Sequence, residues 1–191
     1  LDFELFEGVD GRKLFPELEN VSQFPAQFFI DNELDHERIS RMNKGQLGCA
    51  MSNRLLQKKI VNENISSALI LEDDIFLHAN NEFLFTEIAK ELPTNWELLY
   101  LGFTHTSPAY RRILRPLNYL HHNFFKRQIH GHSNQVYKNY YPTKYSKNLD
   151  KPGIYFGTHA YGITLDGAKK LVSNDTPMKL GYDENLIDLC Y

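Results

Sequence analysis

Three consecutive carboxylates, Glu72, Asp73 and Asp74, stand directly behind the run Ser67-Ala68-Leu69-Ile70-Leu71. Such an apolar run reads as a strand buried on both faces, as in the middle of a mainly parallel sheet. In sheets of that kind, ligands collect at the carboxyl ends of the strands. Side chains alternate along an extended chain, which predicts Glu72 and Asp74 on one side and Asp73 on the other. Two converging carboxylates offer hard oxygen ligands to Mg²⁺ or Mn²⁺, and a cation held there can also bind phosphate oxygens. A solvated acidic turn or a helix cap would have the same sequence, and the tripeptide alone leaves the two readings level.

The elements that would carry this strand end follow from periodicity. Phe3 to Gly11 reads as a short strand with Phe3, Leu5 and Val9 inward, ended by the turn pair Asp10-Gly11. Lys44 to Asn64 reads as a helix. Leu47, Met51, Leu55 and Val61 recur at helical spacing, and Ala50, Leu56 and Ile60 widen the stripe. Glu82 to Leu92 reads as a second amphipathic helix stopped by Pro93, and Trp96 to Leu101 as another apolar strand. A strand is expected through Tyr155–Gly157 and Ala160–Leu165, then Asp166-Gly167 and a helix from Ala168 to Val172. Strands alternating with helices make an α/β domain, and the 191 residues are expected to form one.

Composition narrows the partners. The net charge of -3 conceals a basic segment: from His105 to Lys151 there are nine Lys and Arg against the single acid Asp150. That stretch is +8, and the remainder carries 12 basic against 23 acidic residues. An acidic body with one basic segment suggests an anionic partner for that segment. Residues 105–152 lack a clear period and are rich in Tyr, His, Asn, Lys and Arg. This aromatic, basic insertion reads as a lid or acceptor-binding flap, with disorder as the plain alternative. Its histidines (His105, His121, His122, His130, His132) fit no zinc spacing. No nucleic-acid module accompanies its charge. Cys49 and Cys190 suit a reducing compartment and are expected to be small buried residues. There is no apolar run long enough for a membrane span and no secretory signal pattern. The chain opens on Leu1, as a fragment would.

Four segments occur in an order that is more specific than any one of them. They are Gly45-Gln46-Leu47-Gly48-Cys49-Ala50-Met51-Ser52, then Leu69–Asp74, then Gly157-Thr158-His159-Ala160-Tyr161, then Gly167-Ala168-Lys169-Lys170-Leu171. Together they resemble glycosyltransferase family 25, the lipooligosaccharide sugar-transferase group that also includes collagen galactosyltransferases. Val9-Asp10-Gly11 is similar to that family's early turn. The resemblance runs from about residue 3 to residue 190, outside the basic insertion.

The resemblance implies a GT-A-like nucleotide-sugar-binding domain and inverting transfer of galactose or glucose from a UDP-sugar to a sugar hydroxyl of lipooligosaccharide. It implies Mn²⁺ or Mg²⁺ on Glu72 and Asp74, with Asp74 the stronger candidate and His159 a third ligand or an acceptor contact. A lone His is otherwise structural. Asp73 would touch the ribose or cap the next segment. Asp10 and Gly11 would sit beside the nucleotide, or form a plain turn. Ser52 would reach donor phosphate or ribose, or simply pack its helix. Asp183, with Glu184 in reserve, aligns with an acidic position suited to the general base. It also reads as the N-cap of a helix starting at Glu184. The expected partners are a UDP-hexose donor and a glycolipid or oligosaccharide acceptor. The expected location is cytoplasmic, at the inner face of the bacterial inner membrane, where an anionic surface would meet the basic segment; nucleic acid is not expected. Two departures stand out. The strand and Asn-Leu…Arg segment that usually open the family have no counterpart, and Asn53 replaces a common His. They favour a rival reading, a non-catalytic carbohydrate- or partner-binding module derived from such an enzyme. A second rival is a metal-dependent phosphohydrolase.

Overall fold

The computed structural model describes residues 3–76, 81–105 and 142–190. They form a mixed α/β structure. The elements are α1 (Ala26–Asp31), α2 (His36–Ile39), α3 (Lys44–Asn62), β1 (Ser67–Leu71), α4 (Asn81–Glu91), β2 (Leu98–His105), β3 (Thr143–Lys144), β4 (Asp150–Lys151), β5 (Tyr155–Thr164), α5 (Leu165–Asn174) and α6 (Tyr182–Leu189). The chain divides into two compact units, Leu1–Ala68 with Thr164–Leu186 and Leu69–Ile163 with Ile187–Tyr191.

In the first unit, α3 is the spine. Asn43 caps it by accepting from the Gln46 N–H while the Gln46 side chain returns to the Asn43 N–H, which satisfies two otherwise orphaned donors. The helix ends at Asn62, and two residues beyond it Asn64 takes a φ of 54°, the left-handed conformation that Asn tolerates. Its buried face carries Leu47, Ala50 and Ile60, but also Arg54 and Gln57, while Leu55 is exposed. The apolar count therefore placed the stripe slightly off. Polar residues occupy core positions because they have partners: Arg54 donates to the Asn32 carbonyl at 2.7 Å and to Glu33 Oε2 at 2.9 Å, and Gln57 donates to the Tyr182 hydroxyl at 2.7 Å. The apolar core joins Val21, Phe24, Phe29, Leu34, Ile39, Leu47 and Met178, and α3 packs against α5.

Phe3 to Gly11 is not a strand. Among the described residues it has no ladder partner, and Phe3 and Leu5 are exposed rather than inward. Local alternation cannot make a strand where no second strand accepts its hydrogen bonds.

In the second unit, the three-stranded sheet has the order β1-β5-β2. β2 runs antiparallel to β5, with Leu98 opposite Ile163 and His105 opposite Tyr155. The expected mainly parallel sheet is not what these strands form. Nor is β1 buried on both faces: its residues alternate exposed and half-buried, with Leu69 and Leu71 on the exposed side. A short apolar run does not by itself reveal whether one face or two will be covered. The hairpin β3–β4 lies at the return from the basic segment, whose residues 106–141 are outside the described residues, with His121, His122, His130 and His132. Glu91, at the end of α4, accepts from the Ser146 hydroxyl, the Asn148 N–H and the Asn148 side chain. These bonds, the Ser146 hydroxyl first, hold its carboxyl below the ordinary range.

Cys49 is exposed and not buried as its residue type suggested, while burial pushes the Cys190 thiol up to about 12. Among the described residues, no helix is long and apolar enough to cross a membrane.

Candidate functional site

The acidic strand end of the second unit is built by a turn and a bulge. β1 stops at Leu71, and the chain bends at Asp73 and Asp74. The Glu72 N–H still donates to the His159 carbonyl at 2.9 Å, which keeps the start of the turn on β5. The register of β2 against β5 slips here: Gly102 faces Ala160 and Thr104 faces Phe156. Gly157, Thr158 and His159 therefore stand against the single residue Phe103, and such a bulge re-aims side chains. Gly157 takes a φ of 83°, which a residue with a Cβ rarely adopts. Gly102 opposite is a close fit, because an added Cβ would lie 3.2 Å from the His159 Cβ.

The bulge brings two successive side chains to one carboxylate. The Thr158 hydroxyl donates to Glu72 Oε1 at 2.9 Å, and His159 Nδ1 lies 2.7 Å from Glu72 Oε2. Thr158 is buried, while the side chains of His159 and Glu72 are 45% and 34% exposed. One ligand atom each from Glu72, Asp74 and His159 lie within 4.8 Å of one another. Two carboxylates and an imidazole suit Mn²⁺ or Mg²⁺ in donor type, and the Thr158 bond fixes the orientation of Glu72 from behind. Asp73 and Asp74 are both exposed, and only Asp74 joins the group. Convergence comes from the turn rather than from the period-2 alternation that the sequence suggested.

Sequence reasoning missed Thr158. Its neighbour His159 drew attention by type, whereas a hydroxyl one position earlier should face away on a regular strand. Gly157 was the available signal for irregular backbone at this point.

The other candidates lie in the first unit. Asp10 accepts from the Arg12 N–H at 3.0 Å and its carbonyl from the Lys13 N–H, so it organises its own turn. Gly11 is buried against α3, where a Cβ would fall 1.8 Å from the Lys44 carbonyl oxygen. A Cβ on Gly48 would fall 2.6 Å from both the Gly11 nitrogen and the Val9 oxygen. The Ser52 hydroxyl accepts from the Val9 N–H at 2.7 Å and donates to the Gly48 carbonyl at 2.6 Å. The glycine-rich start of α3 is thus a slot into which the Val9–Gly11 backbone docks.

Asp183 and Glu184 lie in the first turn of α6, which begins at Tyr182, before the expected start. Asp183 Oδ1 accepts from the Glu184 N–H, and Glu184 Oε2 accepts from the Gly181 N–H, both at 3.0 Å. Asp183 is therefore inside the helix and not its N-cap, and it is Glu184, the third helical residue, that reaches back to the Gly181 N–H ahead of the helix. A small pocket in the same unit is lined by Arg54, Gln57, Asp175, Tyr182 and Asn185. Burial raises the Asp175 carboxyl to about 6, against the opposing pull of Arg54 and a hydrogen bond from Asn185.

Comparison with known proteins gives the site a context. The model of glycosyltransferase family 25 (LPS biosynthesis protein) matches residues 1–186. The procollagen lysyl hydroxylase and glycosyltransferase of Acanthamoeba polyphaga mimivirus is 28% identical over 98% of this chain and 17% of its own length. Mouse procollagen galactosyltransferase 2 is 24% identical over 92% of this chain and 24% of its own. A bovine protein named probable inactive glycosyltransferase 25 family member 3 is 29% identical over 70% of this chain and 18% of its own. The chain therefore spans a quarter or less of the length of these relatives.

Proposed function

Because the chain belongs to glycosyltransferase family 25, we propose that it is a hexosyltransferase domain whose cation site is Glu72, Asp74 and His159. The observation that carries this reading is the convergence of their ligand atoms within 4.8 Å at the end of β1. The donor is a UDP-hexose, and the galactosyltransferase named among the relatives favours UDP-galactose over UDP-glucose. A Mn²⁺ or Mg²⁺ ion at this site would stabilise the charge that develops on the diphosphate as the sugar leaves. Glu72, Asp74 and His159 would hold that cation, and the Thr158 hydroxyl orients the Glu72 carboxylate. Asp73 contributes to the ribose side of the donor, while the internal bonds of Asp10 and Ser52 and the close packing of Gly11 favour a packing role for those three over a nucleotide contact.

An inverting displacement needs a group to take the acceptor hydroxyl's proton. Asp183 is assigned that role on residue type and sequence order, with Glu184 in reserve. The family's printed link to LPS biosynthesis supports a lipooligosaccharide sugar as acceptor. The names of the procollagen relatives support a second reading, in which the acceptor is a collagen-like protein. The +8 segment suits peripheral contact with an anionic membrane in the first reading. The bovine relative named inactive keeps a non-catalytic carbohydrate-binding module as the rival.

Turnover of UDP-galactose and UDP-glucose, with lipooligosaccharide or collagen peptide as acceptor, tests these readings. EDTA is expected to abolish transfer, and Asp74→Ala to lower it by roughly 100- to 1,000-fold, the range seen when a transition-state charge loses a key stabilising partner. Transfer that resists EDTA and survives Asp74→Ala would remove the cation site from the reaction.

A further inference from the structure

We propose that Phe76 is a stacking platform for a pyranose ring beside the cation site. The inference rests on the hexosyltransfer reading and deepens it. Phe76 is 93% exposed, more than any other large apolar side chain among the described residues. A side chain of this size stabilises a fold only when it is buried, and the fold gains little from it here. Single exposed apolar residues are common on protein surfaces, and Phe3 and Leu5 are nearly as exposed; what sets Phe76 apart is its place beside the acidic turn.

Phe76 follows Asp74 by two residues, which limits the separation of their Cα atoms to about 7 Å. Leu71, 43% exposed, stands on the other side of the acidic turn. The cation ligands are thus flanked in sequence by apolar surface. A sugar diphosphate has the matching chemistry: anionic oxygens for the cation, and next to them a pyranose ring with an apolar face of C–H bonds. Those polarised C–H groups suit the negative face of an aromatic ring. The pyranose can belong to the donor or to the acceptor, and each source has its own readout.

The experiment uses the full chain with Mn²⁺, comparing wild type, Phe76→Ala and Phe76→Trp. Calorimetry gives affinities for UDP, UDP-galactose, UDP-glucose and methyl galactoside, and electron paramagnetic resonance gives Mn²⁺ affinity. In Phe76→Ala, affinities for Mn²⁺ and UDP should stay within about twofold, while that for one sugar ligand falls about five- to tenfold. Loss confined to UDP-hexoses identifies the donor ring, and loss confined to the glycoside identifies the acceptor ring. Phe76→Trp should restore either. The proposal is overturned if no sugar ligand binds wild type, if Phe76→Ala binds every sugar as wild type does, or if Trp fails to rescue. An equal loss for UDP and UDP-hexose also overturns it, because the ring would then stack on uracil. Sugar binding that depends on Phe76 in a chain that transfers no hexose would instead defeat the transfer reading and leave the platform standing.

Discussion

In the first unit, Ser52, Gly48 and Gly11 turn their polar atoms and close spacing on one another: the Ser52 hydroxyl is bonded on both sides, and two glycine positions leave no room for a methyl group. In the second unit, Glu72, Asp74 and His159 converge while remaining open to solvent, with only Thr158 buried behind them. Both regions stood out as motifs of the same family. The difference teaches that a motif can persist because it packs or because it binds, and that the direction in which its polar atoms face separates the two. Substitutions in the first region should read out in stability, and those in the second in ligand affinity.

Gly11→Ala should give the largest effect. A Cβ 1.8 Å from the Lys44 carbonyl cannot be absorbed by a side-chain rotation, because both partners are backbone and Gly48 already touches Val9 and Gly11. The expected cost is about 4 kcal/mol in a urea melt, at the upper end for a point substitution. A loss below about 1 kcal/mol would mean that the dock is loose and that Gly11 faces a ligand after all.

Asp175→Asn sharpens the same side of the comparison through pH. Burial raises the Asp175 carboxyl from 3.8 to about 6, so the folded state disfavours its charge. Its contribution to stability is therefore complete below pH 3.8 and lost as pH rises through about 6. Relative to wild type, Asp175→Asn should gain roughly 2 kcal/mol between pH 4 and pH 7 in paired urea melts. Arg54 and Lys179 are the charged groups that oppose the shift, and equal pH slopes for the two proteins would show that they cancel it.

Thr158→Val tests the second region. Removing the hydroxyl frees Glu72 Oε1 without touching a cation ligand, and groups in that position typically tune metal affinity by 10- to 100-fold. A loss of about tenfold in Mn²⁺ affinity is expected with an unchanged melting temperature. The opposite pattern, lost stability with intact Mn²⁺ binding, would make this cluster another packing device.

The longer helices α3, α4 and α5 were legible in the sequence because their signals are local, whereas the short α1 and α2 were not read at all. α3 has the Asn43 cap, the apolar repeat and the Asn64 stop, and its observed end differs from the expected one by two residues. The strand from Tyr155 was legible too, as was the gathering of Glu72, Asp74 and His159. Strand direction was not, because whether β2 runs with or against β5 depends on connections that no local pattern encodes. The Gly157–His159 bulge was hidden for the same reason: it exists only as a mismatch with β2. Arg54 and Gln57 were left off the core face because their partners, Glu33 and Tyr182, lie far along the chain.

Ser52→Ala gives the smallest effect and the finest cut between the two regions. The hydroxyl is the acceptor for the Val9 N–H and a donor to the Gly48 carbonyl, and the helix already uses that carbonyl's other capacity. Only the Val9 N–H loses a partner, and it is partly exposed, so about 1 kcal/mol of stability is expected to go. UDP affinity, measured by calorimetry on the still-folded variant, should not change if the Gly45–Ser52 motif is a dock. A tenfold loss of UDP affinity with stability intact would put the remaining lone pair of Ser52 on the nucleotide. The contrast between a self-contained motif and an open one would then fail, and the first unit would have to be counted among the binding surfaces.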